Sequence, residues 1–337
     1  MIKKLTNKQL LLILVVLIGI YAIGTYIKNK RGENTFHTNI IPKIDTNAVN
    51  GFYIYPKIQK TKPIRFDLKG KTWMVSSGGV TSRAEKKSES YIINLIKGIT
   101  PDHLATNDPA HWKDYDVTDS SGTRVVLLHD KDTLIDILVG RFSYNNQLRK
   151  AMSCVRLHGQ NEVYYVDGFL TMNVANDFTS WRDRQLLDGD ETMWNKLTYI
   201  YPADSGFIVS KDAQGNWIVN NEKPDSIGIH DLLKKLAQQN YGGFVDKFDT
   251  NASQAVFQLQ VMSDKLSPFV VKAYAADSTN GYVITSSLNP GAYMSGKNNG
   301  LFNNIFLSKS AFFHHTDKPK PQMPPAKMPP GMKIGKK

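Results

Sequence analysis

The triplet Gly70-Lys71-Thr72 has the residues that close a phosphate-binding loop, with a glycine to free the backbone and a lysine for a phosphate oxygen. The full pattern also needs a glycine five residues before Gly70, where Arg65 stands. The residues that follow alternate like a strand, whereas a phosphate loop leads into a helix. Asp114, Asp116 and Asp119 in "DYDVTDSSG" raise the question of calcium. A calcium loop starting at Asp114 requires glycine at its sixth position and a bidentate glutamate at its twelfth, and Asp119 and Val125 occupy them. The segment is read as a solvated turn. Cys154, the single cysteine, excludes an intramolecular disulfide. It lies in the alternating stretch "MSCVRLHG" and is read as a small packed hydrophobe. His158 sits four residues on, about 13 Å away along a strand and too far to form a thiolate pair. The eight histidines include the pair His314-His315 but no metal-ligand spacing, and no G-x-S-x-G elbow occurs. No catalytic residue, cofactor or metal ligand is assigned. The remaining polar cluster is "SWRDRQLL", with Trp181, Arg182, Asp183 and Arg184. In its favoured reading Arg182 and Arg184 pair with Asp183 and Asp188 to lock a junction. In the sharper reading the four residues form an exposed docking surface, since Trp and Arg are enriched at binding hot spots.

The elements that must position these residues follow an order that occurs twice. "NGFYIYP" alternates and stops at a proline, and "IRFDL" and "TWMVS" form a hairpin across Gly70. A "SSGGVTS" loop leads to a helix with Tyr91, Ile92, Leu95 and Ile96 on one face. "PDHLATNDPAHW", with two prolines, reads as a connection. The strands "RVVLLH", "LIDILVGR" and "EVYYVDG" follow, and "DFTSWRDRQLL" closes the unit as a short helix. In the second half "LTYIYP" repeats the opening strand, "GFIVSKDAQGNWIVN" the hairpin, and "SIGIHDLLKKLAQQN" the helix, with Ile229, Leu232, Leu233 and Leu236 as its apolar stripe. "KFDTNASQAVFQLQV", "FVVKAYAAD" and "GYVITSS" fill the later strand slots, and "NNGLFNNIFLSKSAFF" is the aromatic closer. A whole matched order reads as a duplication. The pair of YIYP quartets is then the opening strand of each copy, with Tyr53 and Tyr55 on the face equivalent to that of Tyr199 and Tyr201.

Several of these segments carry a family resemblance. The lysine-flanked apolar start, the "W.V" strand, the "YD" pair at 115–116, "IDILVGR", "VYYVDG" and "WRDRQLL" together resemble the uncharacterised bacterial DUF4340 family. The likeness is good over roughly 45–190 and looser over the second repeat. It implies no reaction and no catalytic residues. What it does imply is company, because some members occur beside, or fused to, auxiliary components of ABC-type transport systems linked to gliding motility.

Charge and hydropathy add an expected address. Leu10 to Ile27 carries no charge, and eighteen helical residues span about 27 Å, the thickness of a bilayer core. The formal charge of +12 invites a nucleic-acid reading, but six cations lie at or before Arg31 and six lysines lie after His314. The stretch between is nearly neutral, so it lacks the basic face that a phosphate grip requires. Nucleic acid is not expected as a partner. The expected organisation is a basic cytoplasmic head at 1–9, a transmembrane anchor at 10–27, a stalk at 28–50, one α+β repeat at 51–190, a second at 191–313, and a Pro/Lys-rich tail at 314–337. Each repeat is expected to be an antiparallel sheet of about six strands with a covering helix. The tail is either inert or an arm for acidic partners or lipid headgroups. The expected function is that of a single-pass inner-membrane accessory or scaffold protein, with its bulk outside the cytoplasm and an envelope protein as its partner. The alternatives are an envelope hydrolase acting on glycan or peptide, and a small-ligand module using a groove between the repeats.

Overall fold

The computed structural model describes residues 14, 16–19, 21, 39–42, 45–57, 62–147, 149–240, 243–250 and 253–313. The expected head at 1–9, the His314-His315 pair and the tail at 314–337 lie outside them, as do most of the expected anchor and stalk. Within 10–27 the described residues are helical, with Leu14, Val16, Leu17, Ile18 and Tyr21 exposed. Among the described residues no helix is long and apolar enough to cross a membrane.

The rest is α+β, divided into two compact units, Met1–Asp183 and Arg184–Lys337. The first contains β1 (Gly51–Tyr55), β2 (Ile64–Lys69), β3 (Thr72–Ser77), β4 (Val80–Arg83), α1 (Ser88–Lys97), β5 (Pro101–Thr106), β6 (Thr123–His129), β7 (Asp132–Asn145), β8 (Lys150–Leu157), β9 (Val163–Asp167) and α2 (Leu170–Val174). A 3-10 helix at Pro109–Tyr115 precedes β6, and another at Phe178–Trp181 closes the unit. The second unit contains β10 (Trp194–Ile200), β11 (Phe207–Lys211), β12 (Trp217–Val219), α3 (Ser226–Ala237), β13 (Ala255–Ser263), β14 (Phe269–Ala275), β15 (Tyr282–Ser286), β16 (Met294–Ser295) and α4 (Leu301–Ile305). A 3-10 helix at Lys309–Phe312 closes it.

All strand pairs are antiparallel. The nine-stranded sheet runs β4-β3-β2-β1-β6-β7-β8-β9-β5 and the seven-stranded sheet β12-β11-β10-β13-β14-β15-β16. Without its two edge strands, the first order is the second, and in each unit the long helix follows the opening hairpin. The expectation of about six strands per sheet is therefore corrected to nine and seven. β8 covers the alternating stretch around Cys154, β16 is a two-residue strand, and β4 and β5 fall in the stretches expected as loop and connection because edge strands carry weak signals. β5 opens with Pro101, tolerated at the first position of an edge strand, and its exposed Asp102 and His103 break the alternation.

Burial follows the two-residue period of the strands. Phe52 lies opposite both Phe66 and Leu127, and Phe66 lies opposite Val75. All four are fully buried, against α1 residues Ile92 and Ile96. In the second sheet Leu197 lies opposite Val209 and Val261, and Val209 opposite Val219, packed with Ile229, Leu233 and Leu236 of α3. Each such side chain contributes about 1.5–3 kcal/mol relative to exposure. One strand in from the β4 edge Trp73 faces Leu68, and on the β12 edge Trp217 faces Lys211, so the two "W.V" strands coincide.

This register corrects the reading of the quartets. Phe52 and Ile54 point into the first core, leaving Tyr53 and Tyr55 half-exposed on the opposite face. In β10 Leu197 and Tyr199 point into the core, and Tyr201 packs against it. The matching rungs put Leu197 at the place of Phe52 and Tyr199 at that of Ile54. The two YIYP strings are thus one residue out of structural step, and in a strand a one-residue slip reverses every face.

Candidate functional site

The "WRDR" segment is a buried strap. Trp181, Arg182 and Asp183 are 5%, 4% and 1% exposed. Burial of that degree corrects the docking-surface reading. Trp181 packs edge-on against Phe66 and donates its indole N–H to the Asn176 carbonyl. Arg182 Nε donates to Ser82 Oγ at 3.1 Å, and the guanidinium lies 5.2 Å from the Phe178 ring centre. Asp183 is ion-paired to Arg83 of β4, and its amide donates to the Arg83 carbonyl at 2.9 Å. The strap therefore sews the end of the first unit to its own edge strand. Arg184, half-buried, opens the second unit.

Two other segments, Tyr115-Asp116 and Gly140-Arg141, converge on a cleft of about 280 Å³ in the first unit. Pro56 and Lys57 line it from the end of β1, Thr171 and Ala175 from α2, and Val139 and Phe142 from β7. The cleft exists because β7 bulges. Val139 pairs with Val155 and Phe142 with Ser153, so Gly140 and Arg141 together oppose Cys154. Such a bulge bends the strand and re-aims its side chains. Gly140 is dictated by close approach, since a Cβ there would meet the Tyr115 carbonyl oxygen at 2.1 Å. The Gly140 carbonyl accepts a hydrogen bond from Thr171 Oγ1 at 3.0 Å. Asp116 has left-handed backbone, φ 56°, where it caps the 3-10 helix.

Opposite charges meet at the rim. Lys57 Nζ lies 3.3 Å and Arg141 Nε 3.7 Å from Asp116 Oδ2. Below the rim, Arg156 anchors the loop that carries Asp116. It donates to the Val117 and Gln160 carbonyls at 3.0 Å each and lies 3.8 Å from the Trp112 ring centre. Cys154 is fully buried beside Val117 and Val163, and burial pushes its thiol up to about 11. At neutral pH it holds its proton and is no nucleophile. The second unit has its own cleft of about 360 Å³ between the β11–β12 hairpin and the start of α3, lined by Asp212, Trp217, Lys223 and His230. Among the described residues no group of three or more His, Cys, Asp or Glu could hold a metal ion.

Sequence reading singled out the "YD" pair and the "IDILVGR" strand separately, and missed that Asp116 and Gly140 meet. It missed Lys57 and Thr171 altogether. A glycine followed by arginine inside a long apolar strand was the available signal, since strand glycines mark bulges and close backbone approach.

A chain of two antiparallel sheets, with a cation-rimmed cleft on a strand bulge, defines a class of α+β module. The family described as "Domain of unknown function (DUF4340)" matches residues 73–260, more than half of the chain, and the chain belongs to it. That span begins at Trp73 on β3 and ends on β13, so it takes in parts of both sheets. No curated protein and no solved structure matches the chain.

Proposed function

We propose that the chain is a single-pass membrane protein that displays two duplicated sheet modules outside the cytoplasm, as a non-catalytic accessory or scaffold subunit of an envelope assembly. The observation that carries this reading is the repeated strand order, β3-β2-β1-β6-β7-β8-β9 and β12-β11-β10-β13-β14-β15-β16, with the long helix at the same place in each. Two copies of one strand order offer a partner two surfaces of the same architecture. The uncharged stretch from Leu10 to Ile27 supports the anchor, and the near-neutral charge between the basic ends supports a protein partner over nucleic acid. The DUF4340 resemblance supports a partner within an ABC-type transport system. An envelope hydrolase would need two carboxylates facing one substrate. Among the described residues Asp116 is the one carboxylate lining the first unit's cleft, and two cations hold it.

Crosslinking in intact membranes, followed by identification of the partners, tests the reading. The full chain is expected to stay with the membrane through an alkaline wash and to yield a transport-system subunit. A chain lacking residues 10–27 is expected in the wash. Recovery of no partner, or release of the full chain by the wash, overturns the proposal.

A further inference from the structure

We propose that the cleft at the β7 bulge binds a small monoanion with an apolar body, namely an aliphatic or aromatic carboxylate, either free or as the C-terminus of a peptide. The proposal rests on the geometry of the first unit alone and is independent of the scaffold reading. Among the described residues, two cations and one carboxylate at the rim leave one positive charge, which a single carboxylate neutralises and a dianion would overshoot. The cations are available, Lys57 and Arg141 having side chains 53% and 54% exposed. At 3.7 Å, Arg141 Nε meets Asp116 as an ion pair beyond hydrogen-bond distance, so its guanidinium donors can take a carboxylate in bidentate fashion. Below the rim, Pro56, Val139, Phe142 and Ala175 offer apolar wall for the body of the ligand. A volume of about 280 Å³ admits a small molecule or the last residue of a chain, not an internal stretch of polymer. The walls are also held in advance. The Gly140 backbone is pinned between the Tyr115 carbonyl and Thr171 Oγ1, so little ordering is left for the binding step.

The test is titration calorimetry of the full chain, kept in solution with a non-ionic detergent. One arm uses 3-phenylpropanoate and its neutral amide. A second uses the tetrapeptide Ala-Ala-Ala-Phe as free acid and as C-terminal amide. In at least one arm the acid should bind at least tenfold more tightly than its amide. Arg141→Gln should remove that preference with the thermal unfolding midpoint unchanged. Lys57→Gln should weaken acid binding several-fold and serves as a second variant should Arg141→Gln fail to fold. Binding confined to one arm identifies the source, free carboxylate or chain terminus. Equal binding of acid and amide, an acid affinity indifferent to both substitutions, or no saturable binding of either acid overturns the proposal.

Discussion

Cys154 shows how far a residue type can be read before its surroundings are known. A lone cysteine in an alternating strand was legible as packing, and the structure buries it completely beside Val117 and Val163. The consequence for pH follows from the sign of its shift. Burial raises the folded thiol to about 11, from an ordinary value of 9.0. The folded chain therefore keeps a proton that the unfolded chain gives up. The resulting stability is fully present below pH 9 and is lost as pH rises towards 11, by about 2 kcal/mol. Urea unfolding of the wild type and Cys154→Ala between pH 8 and 11 should show the wild-type advantage shrinking by that amount. An advantage constant across the range would contradict the burial argument. The rim residues of the cleft behave differently. Lys57, Asp116 and Arg141 are ordinary charged residues in sequence, and their meaning comes from a bulge that no local pattern announces.

At the scale of elements, the period of the strands was legible and their step was not. A strand's hydrophobic alternation shows which residues share a face. Which face meets the helix is settled by the neighbouring strands. Tyr53 and Tyr199 sit in near-identical strings, yet Tyr199 is stacked on Phe207 in the core while Tyr53 is half-exposed beside Arg65. Substitution should separate them. Tyr199→Ala is expected to cost about 3–5 kcal/mol in urea unfolding, and Tyr53→Ala under about 1 kcal/mol. The Tyr199 hydroxyl is buried with no hydrogen-bond partner. Tyr199→Phe should therefore match the wild type or exceed it in stability, because an unsatisfied buried hydroxyl is a penalty. Equal losses at Tyr53 and Tyr199 would mean that the quartets do share a face. The long helices were easier to read, because apolar residues at helical spacing need only one partner surface. Even there the buried set shifted by a residue, with Ile93 buried and Tyr91 49% exposed.

For the whole molecule, each unit draws its main core from its own segment. The second core runs from Leu186 to Phe312, with Phe313 packed against it. Residues 184–313 expressed alone should fold, giving a β-rich circular dichroism spectrum and a single cooperative urea transition. A broad, gradual loss of signal would show that this core is insufficient by itself. What the sequence alone determined is the class of the chain, two α+β sheet units in repeated order, and the family to which it belongs. The first rests on periodicity and element order, and the second on the order of the motifs that resemble the family and on its match over residues 73–260, all read along the chain in one dimension. The tertiary structure decided the rest. It supplied the edge strands β4 and β5, the burial of Trp181, Arg182 and Asp183 as a strap, the one-residue step between the two YIYP strings, and the meeting of Asp116 with Arg141. Each depends on which strand lies beside which, and that pairing is set by packing between residues far apart in the chain.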